Sequence, residues 1–482
     1  MIRFFYFLKH YFCEMKKKRN IVLENIKLVS AGAKGVAVGK TEEGKTVLVS
    51  GAIPGDVVNA RVKKSKSKYF EADVLEVVEE SPFRINPKCI HFGVCGGCKW
   101  QNMSYDKQLE FKQEEVYNNI KRIGGVDDFQ TLPILGSEEQ YFYRNKMEFS
   151  FSNARWLTLD EVNSTENIQD KNALGFHIPG MWSKILDLRE CWLQEDPSND
   201  IRLAVKQFAE DNNLEFFDVK NHDGFLRTLM MRQNSHGEWM VLFQLYREEK
   251  ENREKLFEFL LEKFPQIKTL VYAINPKPND SIYDLDIVTY FGEGYLMEVM
   301  DGLQFKIGPK SFFQTNYKQA LKLYRKTLEF ADLQGGEVVY DLYTGTGTIA
   351  QYLARSAKHV IGIEAVQEAI DAAEEHAKLN GLENCTFYCG DMKDVFTEDF
   401  LNNHPKADVL VTDPPRDGMH QKVVEQIIKL NPEKVVYVSC NSATQARDIA
   451  LMKDHYQLVK ILPVDMFPQT HHVENIALLV RK

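Results

Sequence analysis

No stretch of the 482-residue chain is built to cross a membrane. The one conspicuous apolar opening, "MIRFFYFLKH", is broken by Lys9 and His10 after far fewer than the roughly 20 residues a span requires. It also lacks the order of a secretion signal, because its basic cluster follows the apolar residues instead of preceding them. Translation is therefore expected to begin at Met15, with residues 1–20 an N-terminal extension or artefact. Net positive charge is missing too. The formal charge is -9, which removes wholesale attraction to nucleic acid and leaves that work to local patches. Cysteine is scarce: eight residues are too few for a disulfide scaffold in a chain of this size, and three of them cluster as metal ligands do in a reducing compartment. A cytoplasmic protein with no membrane partner, acting as a monomer, is expected.

What is present divides into three blocks, in keeping with a prior of about 150 residues per domain. Residues 21–80 carry short alternating stretches such as "KTVLVSGAIPGDVVNARV", separated by turn signals, as in a small β-barrel or sandwich. Within them "RVKKSKSKYF" puts five cations into eight residues, followed by Tyr69 and Phe70. Cations meet phosphates and aromatic faces meet bases, although a solvated hairpin tip reads the same way. The stretch resembles the TRAM domain, an OB-like RNA-binding barrel. Residues 85–300 mix a helical run, "YDKQLEFKQEEVYNNIKRI", with β-rich segments, and no topology follows from pattern alone. Residues 301–482 alternate strand and helix cleanly, which implies βαβ units in a doubly wound parallel sheet. The expected fold class is α/β with a β-rich N-terminal part: an OB-like barrel, a mixed α+β central domain and a Rossmann-like domain.

In such sheets ligands bind at the carboxyl ends of the strands, near the point where strand order reverses. The loop "DLYTGTGT", Asp341 to Thr348, supplies two glycines there, but the third glycine of the dinucleotide fingerprint is absent. Glu364 ends the next strand, where an acid meets ribose hydroxyls. This pattern resembles the S-adenosylmethionine site of class I methyltransferases, and Asp391 in "YCGDM" matches the position that often holds the adenine end.

Two further strand ends face the same crevice: "VTDPPRDG", with Asp413, and "KVVYVSC", with Cys440; beyond them "QTHHVENIALL" carries Glu474. If the methyl acceptor is carbon 5 of a uracil, that carbon is a poor nucleophile until a thiolate adds at carbon 6. A base must then remove the carbon-5 proton so that the thiol can leave. Cys440 and Glu474 supply such a pair. Alternatively, Cys440 is a strand-end core thiol, Glu474 a surface carboxylate, and His471 and His472 structural. The whole chain resembles the RNA 5-methyluridine methyltransferases, in particular the 23S rRNA uracil-5-methyltransferases that carry an iron–sulfur cluster. The matching pieces are the TRAM-like start, "CIHFGVCGGCKWQ", "FFQTN", "DLYTGTG", "DPPRDG", "YVSCNSAT" and "THHVE". The resemblance implies Cys440 as nucleophile and Glu474 as base. It implies Gln314, Tyr343, Thr348, Glu364, Asp391 and Asp413 around S-adenosylmethionine, and 23S ribosomal RNA as partner. Thr348 stands where some members have asparagine, and Ser442 where proline is common.

Cys89, Cys95 and Cys98 form C-x5-C-x2-C, with Cys191 in "LRECWLQ" the candidate fourth ligand. Four thiolates suit an iron–sulfur cluster or zinc, and spacing does not separate them; the resemblance implies a [4Fe-4S] cluster. With every iron capped by cysteine, a structural or RNA-positioning role is expected. Phe312 and Phe313 offer a stacking partner for a flipped base, with core packing the safer reading for at least one. Rival functions are the same chemistry on a tRNA uridine, an amino-group methyltransferase using the DPPR motif, and a non-catalytic RNA-binding factor.

Overall fold

The computed structural model describes residues 21–164 and 170–482, so the expected start at Met15 lies outside the described residues. The described chain forms two compact units, one ending at Arg84 and one running Ile85–Lys482. In the first, alternation becomes five strands: β1 (Val22–Ala31), β2 (Ala37–Lys40), β3 (Thr46–Ser50), β4 (Val57–Ser65) and β5 (Tyr69–Glu79). They close into a barrel in the order β1-β2-β3-β5-β4, and closure leaves no free sheet edge. Val47 and Val49 of "TVLVS" point inward with Leu28, Val58 and Ala60, while Ser50 is exposed. At Gly39 a Cβ would fall 2.6 Å from the Lys27 carbonyl oxygen, so β1 and β2 approach closely only because the residue is glycine. The basic cluster lies on the β4–β5 hairpin. There Lys63 pairs with Asp73 and Lys64 with Glu71, while the Lys45 ammonium sits 3.8 Å from the centroid of the Phe70 ring.

The second unit begins with α1 (Tyr105–Arg122) and the short β6 (Gln130–Thr131). A seven-stranded sheet follows, built from β7 (Lys146–Ser152), β8 (Ala173–Ile178), β9 (Met181–Asp187), β10 (Leu226–Gln233), β11 (Trp239–Leu245), β12 (Ile267–Ile274) and β13 (Val288–Phe291). Its order is β13-β12-β11-β10-β7-β8-β9. The central strands β10 and β11 are buried at every residue. A strand covered on both faces has no solvent side to alternate with, and the polar residues these strands carry, Arg227, Thr228, Arg232, Gln233 and Gln244, are buried too. Along the chain this sheet is interleaved with α2 (Leu159–Asn163), α3 (Ser198–Asp211) and α4 (Lys250–Lys263), the last two packing through Ile201, Val205, Leu256 and Phe257.

A hairpin, β14 (Leu296–Met300) and β15 (Leu303–Ile307), turns at Asp301–Gly302, both at positive φ, as Asp-Gly turns require. Then come α5 (Tyr317–Ala331), β16 (Val338–Leu342), α6 (Thr348–Ala354), β17 (His359–Glu364), α7 (Gln367–Leu379), β18 (Cys385–Cys389), α8 (Met392–Val395) and α9 (Glu398–Asn403). The chain finishes with β19 (Val409–Thr412), α10 (Gln421–Leu430), β20 (Lys434–Ser439), α11 (Ser442–Met452), β21 (Tyr456–Val464) and β22 (Glu474–Arg481). The sheet order is β18-β17-β16-β19-β20-β22-β21-β6. Strands β16 to β20 run parallel and β22 is antiparallel to β20. The order reverses between β16 and β19, which opens the ligand crevice at their carboxyl ends. Residues 130–131, grouped by sequence with the middle block, supply the edge strand beside β21. No helix among the described residues is long and apolar enough to cross a membrane.

Candidate active site

Next to last in strand β16 is buried Asp341, whose carboxylate accepts a 2.6 Å hydrogen bond from the Thr344 hydroxyl. The chain then turns through Tyr343, Gly345 and Gly347, all at positive φ. At Gly347 a Cβ would meet that of Ala373 at 2.9 Å, so glycine is needed for both conformation and space. Glu364, at the end of β17, accepts from the Gly345 N–H (3.1 Å) through one oxygen and from Ala365 and Val366 through the other. It thereby clamps the glycine turn. Thr348 is buried, its hydroxyl 3.4 Å from that of Thr346. Asp391 is exposed, caps α8 through the Lys393 N–H and pairs with the Lys393 ammonium, which helps hold its carboxyl below the usual range. Gln314 is fixed from the other sheet, its carbonyl accepting from Asn145 Nδ2 at 3.0 Å. Of the two phenylalanines before it, Phe313 packs in the core and Phe312 is 70% exposed.

Cys440 and Glu474 are brought together by strand register. β20 and β22 pair antiparallel with Ser439 opposite Asn475, so the residues one step outward, Cys440 and Glu474, face each other at the sheet's end. Glu474 is 6% exposed. Burial first, and then the neighbouring Asp413 carboxylate, push its carboxyl up to about 8, against the pull of Arg416. Burial lifts Asp413 to about 7, and Asp341, which also feels Asp413, to about 7. Cys440 is pushed up to about 11 by burial and by the Glu474 and Asp413 carboxylates; Arg416 opposes the rise. Carboxyls poised near neutrality suit proton transfer, and the thiol rests protonated. Asn441 caps α11 and donates to the Arg416 carbonyl at 2.9 Å, tying the "DPPRDG" turn to the cysteine. Burial drives His471 and His472 down to about 4, which leaves both rings neutral.

The segment leading into Glu474 is held by residues that motif reading did not single out. Five successive carbonyls each accept from outside it: Asp465 from Gln319, Met466 from Asn316, Phe467 from Lys112, Pro468 from Tyr143 and Gln469 from the Lys99 and Trp100 N–H groups. Asp465 forms a 2.6 Å ion pair with Lys112, both side chains wholly buried, and accepts from Tyr105. The available sequence signal was phase: Gln108 and Lys112 share the buried face of α1 with Phe111, Val116 and Ile120.

The four candidate metal ligands converge loosely. Cys89, Cys95, Cys98 and Cys191 line one cavity of about 610 Å3. Glu190 accepts from the Ile90 N–H and Asn199 from the Cys191 N–H, which fixes the two loops. The Gly97 N–H points at Cys95 Sγ (3.4 Å), as amides do around cluster sulfurs. Burial pushes Cys98 up to about 12 and Cys191 to about 11. No group of three or more His, Cys, Asp or Glu side chains among the described residues is arranged to hold a metal ion.

Comparison with known proteins accords with this geometry. Residues 293–482 match the family described as tRNA (Uracil-5-)-methyltransferase, and residues 26–75 the TRAM domain. A Bacteroides thetaiotaomicron protein named as an uncharacterized RNA methyltransferase is 49% identical over 450 residues, 93% of this chain and 99% of that one. One from Porphyromonas gingivalis is 48% identical, over 95% of this chain and 99% of its own. Among solved structures, the Pyrococcus abyssi tRNA (uracil-54, C5)-methyltransferase in complex with S-adenosyl-L-homocysteine superposes with a TM-score of 0.73 at 27% identity, covering 94% of this chain and 99% of that one. With a TRAM barrel ahead of a Rossmann-like methyltransferase fold, the chain belongs to the family of RNA (uracil-5-)-methyltransferases.

Proposed function

We propose that the protein methylates carbon 5 of a specific uridine in 23S ribosomal RNA in the cytoplasm, as a monomer, with Cys440 as nucleophile and Glu474 as general base. The observation that carries this reading is the cross-strand pairing of Cys440 with Glu474, beside Asp413. Tyr343, Thr348, Glu364, Asp391, Asp413 and Gln314 are the residues assigned to S-adenosylmethionine, which supplies an electrophilic methyl group on a sulfonium. The Cys440 thiol gives up its proton to solvent water and its sulfur adds to carbon 6 of the uracil; the ring's double-bond electrons move onto the carbon-4 oxygen. Those electrons would return through carbon 5 to the methyl carbon as its bond to the sulfonium sulfur breaks, the bonding pair staying on that sulfur, which would leave as a neutral thioether. Glu474, ionised, then takes the proton from carbon 5, the ring double bond re-forms, and the Cys440 sulfur leaves. The raised carboxyl of Glu474 matches a base working near neutrality. Asp413 and Glu474 cannot both ionise cheaply so close together, so Arg416 is the group that steadies the charged state.

Cys89, Cys95, Cys98 and Cys191 are assigned to a [4Fe-4S] cluster. Support comes from four thiols lining one cavity and from the amide directed at Cys95. Bound there, a cluster would tie the 89–98 loop to the 188–191 loop. The barrel together with the cysteine site favours ribosomal RNA. The same chemistry on a tRNA uridine is the second reading, favoured by the likeness to the Pyrococcus abyssi enzyme over 94% of the chain. The test offers anaerobically purified protein 5-fluorouridine fragments of 23S rRNA and of tRNA with S-adenosylmethionine, and maps covalent complexes by mass. An adduct at Cys440 on rRNA alone is expected. One on tRNA alone would move the substrate, and methyl transfer without any adduct would remove Cys440 as nucleophile.

A further inference from the structure

Between Pro468 and Thr470 the chain makes a contact that the chemistry above does not use. Gln469 is 1% exposed and holds φ +66, a left-handed conformation that a glutamine adopts only where its surroundings impose it. Three restraints impose it here. Its N–H donates to Gln108 Oε1 at 2.9 Å, and its side-chain oxygen accepts from Gln108 Nε2 at 3.0 Å. Its carbonyl takes the N–H groups of Lys99 (2.8 Å) and Trp100 (3.1 Å), the two residues after Cys98. Gln108 in turn donates to the carbonyls of Trp100 and Met103, so one buried amide fastens the cysteine-rich loop and the Gln469 turn together. Five residues further along is Glu474; between them the His472 N–H is tied back to the Thr470 hydroxyl at 3.2 Å.

We propose that Gln108 and Gln469 are positioning residues that aim the Glu474 carboxylate at the carbon-5 proton, and that the cysteine-rich loop acts on catalysis through this contact. The proposal rests on the reading of Glu474 as base. It separates two halves of the reaction. Cys440 is carried by β20 and α11, whose hydrogen bonds to the Arg416 carbonyl do not pass through Gln469. Loosening the Gln469 turn therefore leaves thiol addition and methyl transfer in place and slows proton removal, where a displacement of about 1 Å costs on the order of a hundredfold.

The test uses full-length protein with an RNA substrate carrying uridine tritiated at carbon 5. Release of tritium reports proton removal, and the methylated covalent complex on denaturing gels reports the steps before it. Gln108→Met removes the clasp from the α1 side. Gln469→Asn withdraws only the side-chain oxygen that accepts from Gln108, leaving the backbone bonds of the turn, with a residue that tolerates positive φ, so at least one variant is expected to fold, as urea unfolding would verify. Both variants are expected to form the methylated adduct at rates within about threefold of the parent and to release tritium roughly ten to a hundredfold more slowly. The adduct should then accumulate on ordinary uridine. If adduct formation and tritium release fall in the same proportion, or neither changes, the positioning role is overturned. Glu474→Gln runs alongside: if it fails to accumulate adduct, the assignment of the base falls, and that failure is distinguishable from failure of the two glutamine variants.

Discussion

At the scale of single residues, the site sets a protonated thiol against a carboxyl pair held near neutrality. Cys440→Ala removes the only step that activates the ring, so methyl transfer should fall by more than about 10^3-fold. S-adenosylmethionine affinity should stay within about threefold of the parent, because no cofactor contact is assigned to the sulfur; equilibrium dialysis with labelled cofactor checks this. Glu474 makes a prediction about stability. Its carboxyl is raised from the usual 4.5 to about 8 in the folded state, so the native protein holds this proton more tightly than the unfolded chain does. The cost of ionising it in place is absent near pH 4, grows above the unfolded value and is complete above about 8. Glu474→Gln should therefore match the parent in urea unfolding at pH 4 and exceed it by several kcal/mol, on the order of 4, at pH 9. A gain that is independent of pH would contradict the buried-charge account.

At the scale of elements, α1 functions as a support for the loop between β21 and β22. Its buried face carries Gln108 and Lys112 among apolar residues, and each reaches that loop. Lys112→Met would leave the Asp465 carboxylate wholly buried without its cation, a change worth about 3–5 kcal/mol of lost stability. The Lys112→Met/Asp465→Leu pair should recover most of that loss, and chemical denaturation of the two variants and the parent decides it. The glycine turn after β16 supplies a second test. Gly347→Ala drives a methyl group to 2.9 Å from Ala373 at a positive φ. It should weaken S-adenosylmethionine binding measured by calorimetry and cost about 1–3 kcal/mol of stability.

At the scale of the whole molecule, RNA recognition by a chain of net charge -9 has to come from local clusters. On the β4–β5 hairpin, two of the five cations are matched with Asp73 and Glu71, and Lys66 and Lys68 are exposed near its tip. Replacing Lys66 and Lys68 by alanine should weaken RNA binding across sequences and lower the salt slope by roughly 0.7 per lost phosphate contact. Binding titrations across a salt series give the slope. The adduct chemistry at Cys440, assayed at saturating RNA, should not change.

The α/β class, a small barrel or sandwich at the N-terminus and the chemistry-bearing strand ends could be read directly from the chain, and the resemblance to the TRAM domain chose the barrel. Short-range pattern dictates them: period-two alternation in "TVLVS", glycines in "YTGTG", a polar stop after "KVVYVS". What pattern does not carry is which distant segments meet. Glu474 read alone is as much a surface carboxylate as a base; only the antiparallel register of β22 on β20 buries it opposite Cys440. Gln108 and Lys112 looked like ordinary helix polars until α1 packed them against the loop at Asp465 to Gln469, more than 350 positions away. The edge strand at 130–131 and the gathering of Cys191 with the 89–98 loop belong to the same kind of decision. Local propensity and periodicity are properties of neighbours along the chain, so the sequence determined the elements and the reactive side chains they end in. Burial, register and the shifted acidities that follow from them depend on packing between remote segments, and those only the tertiary structure decided.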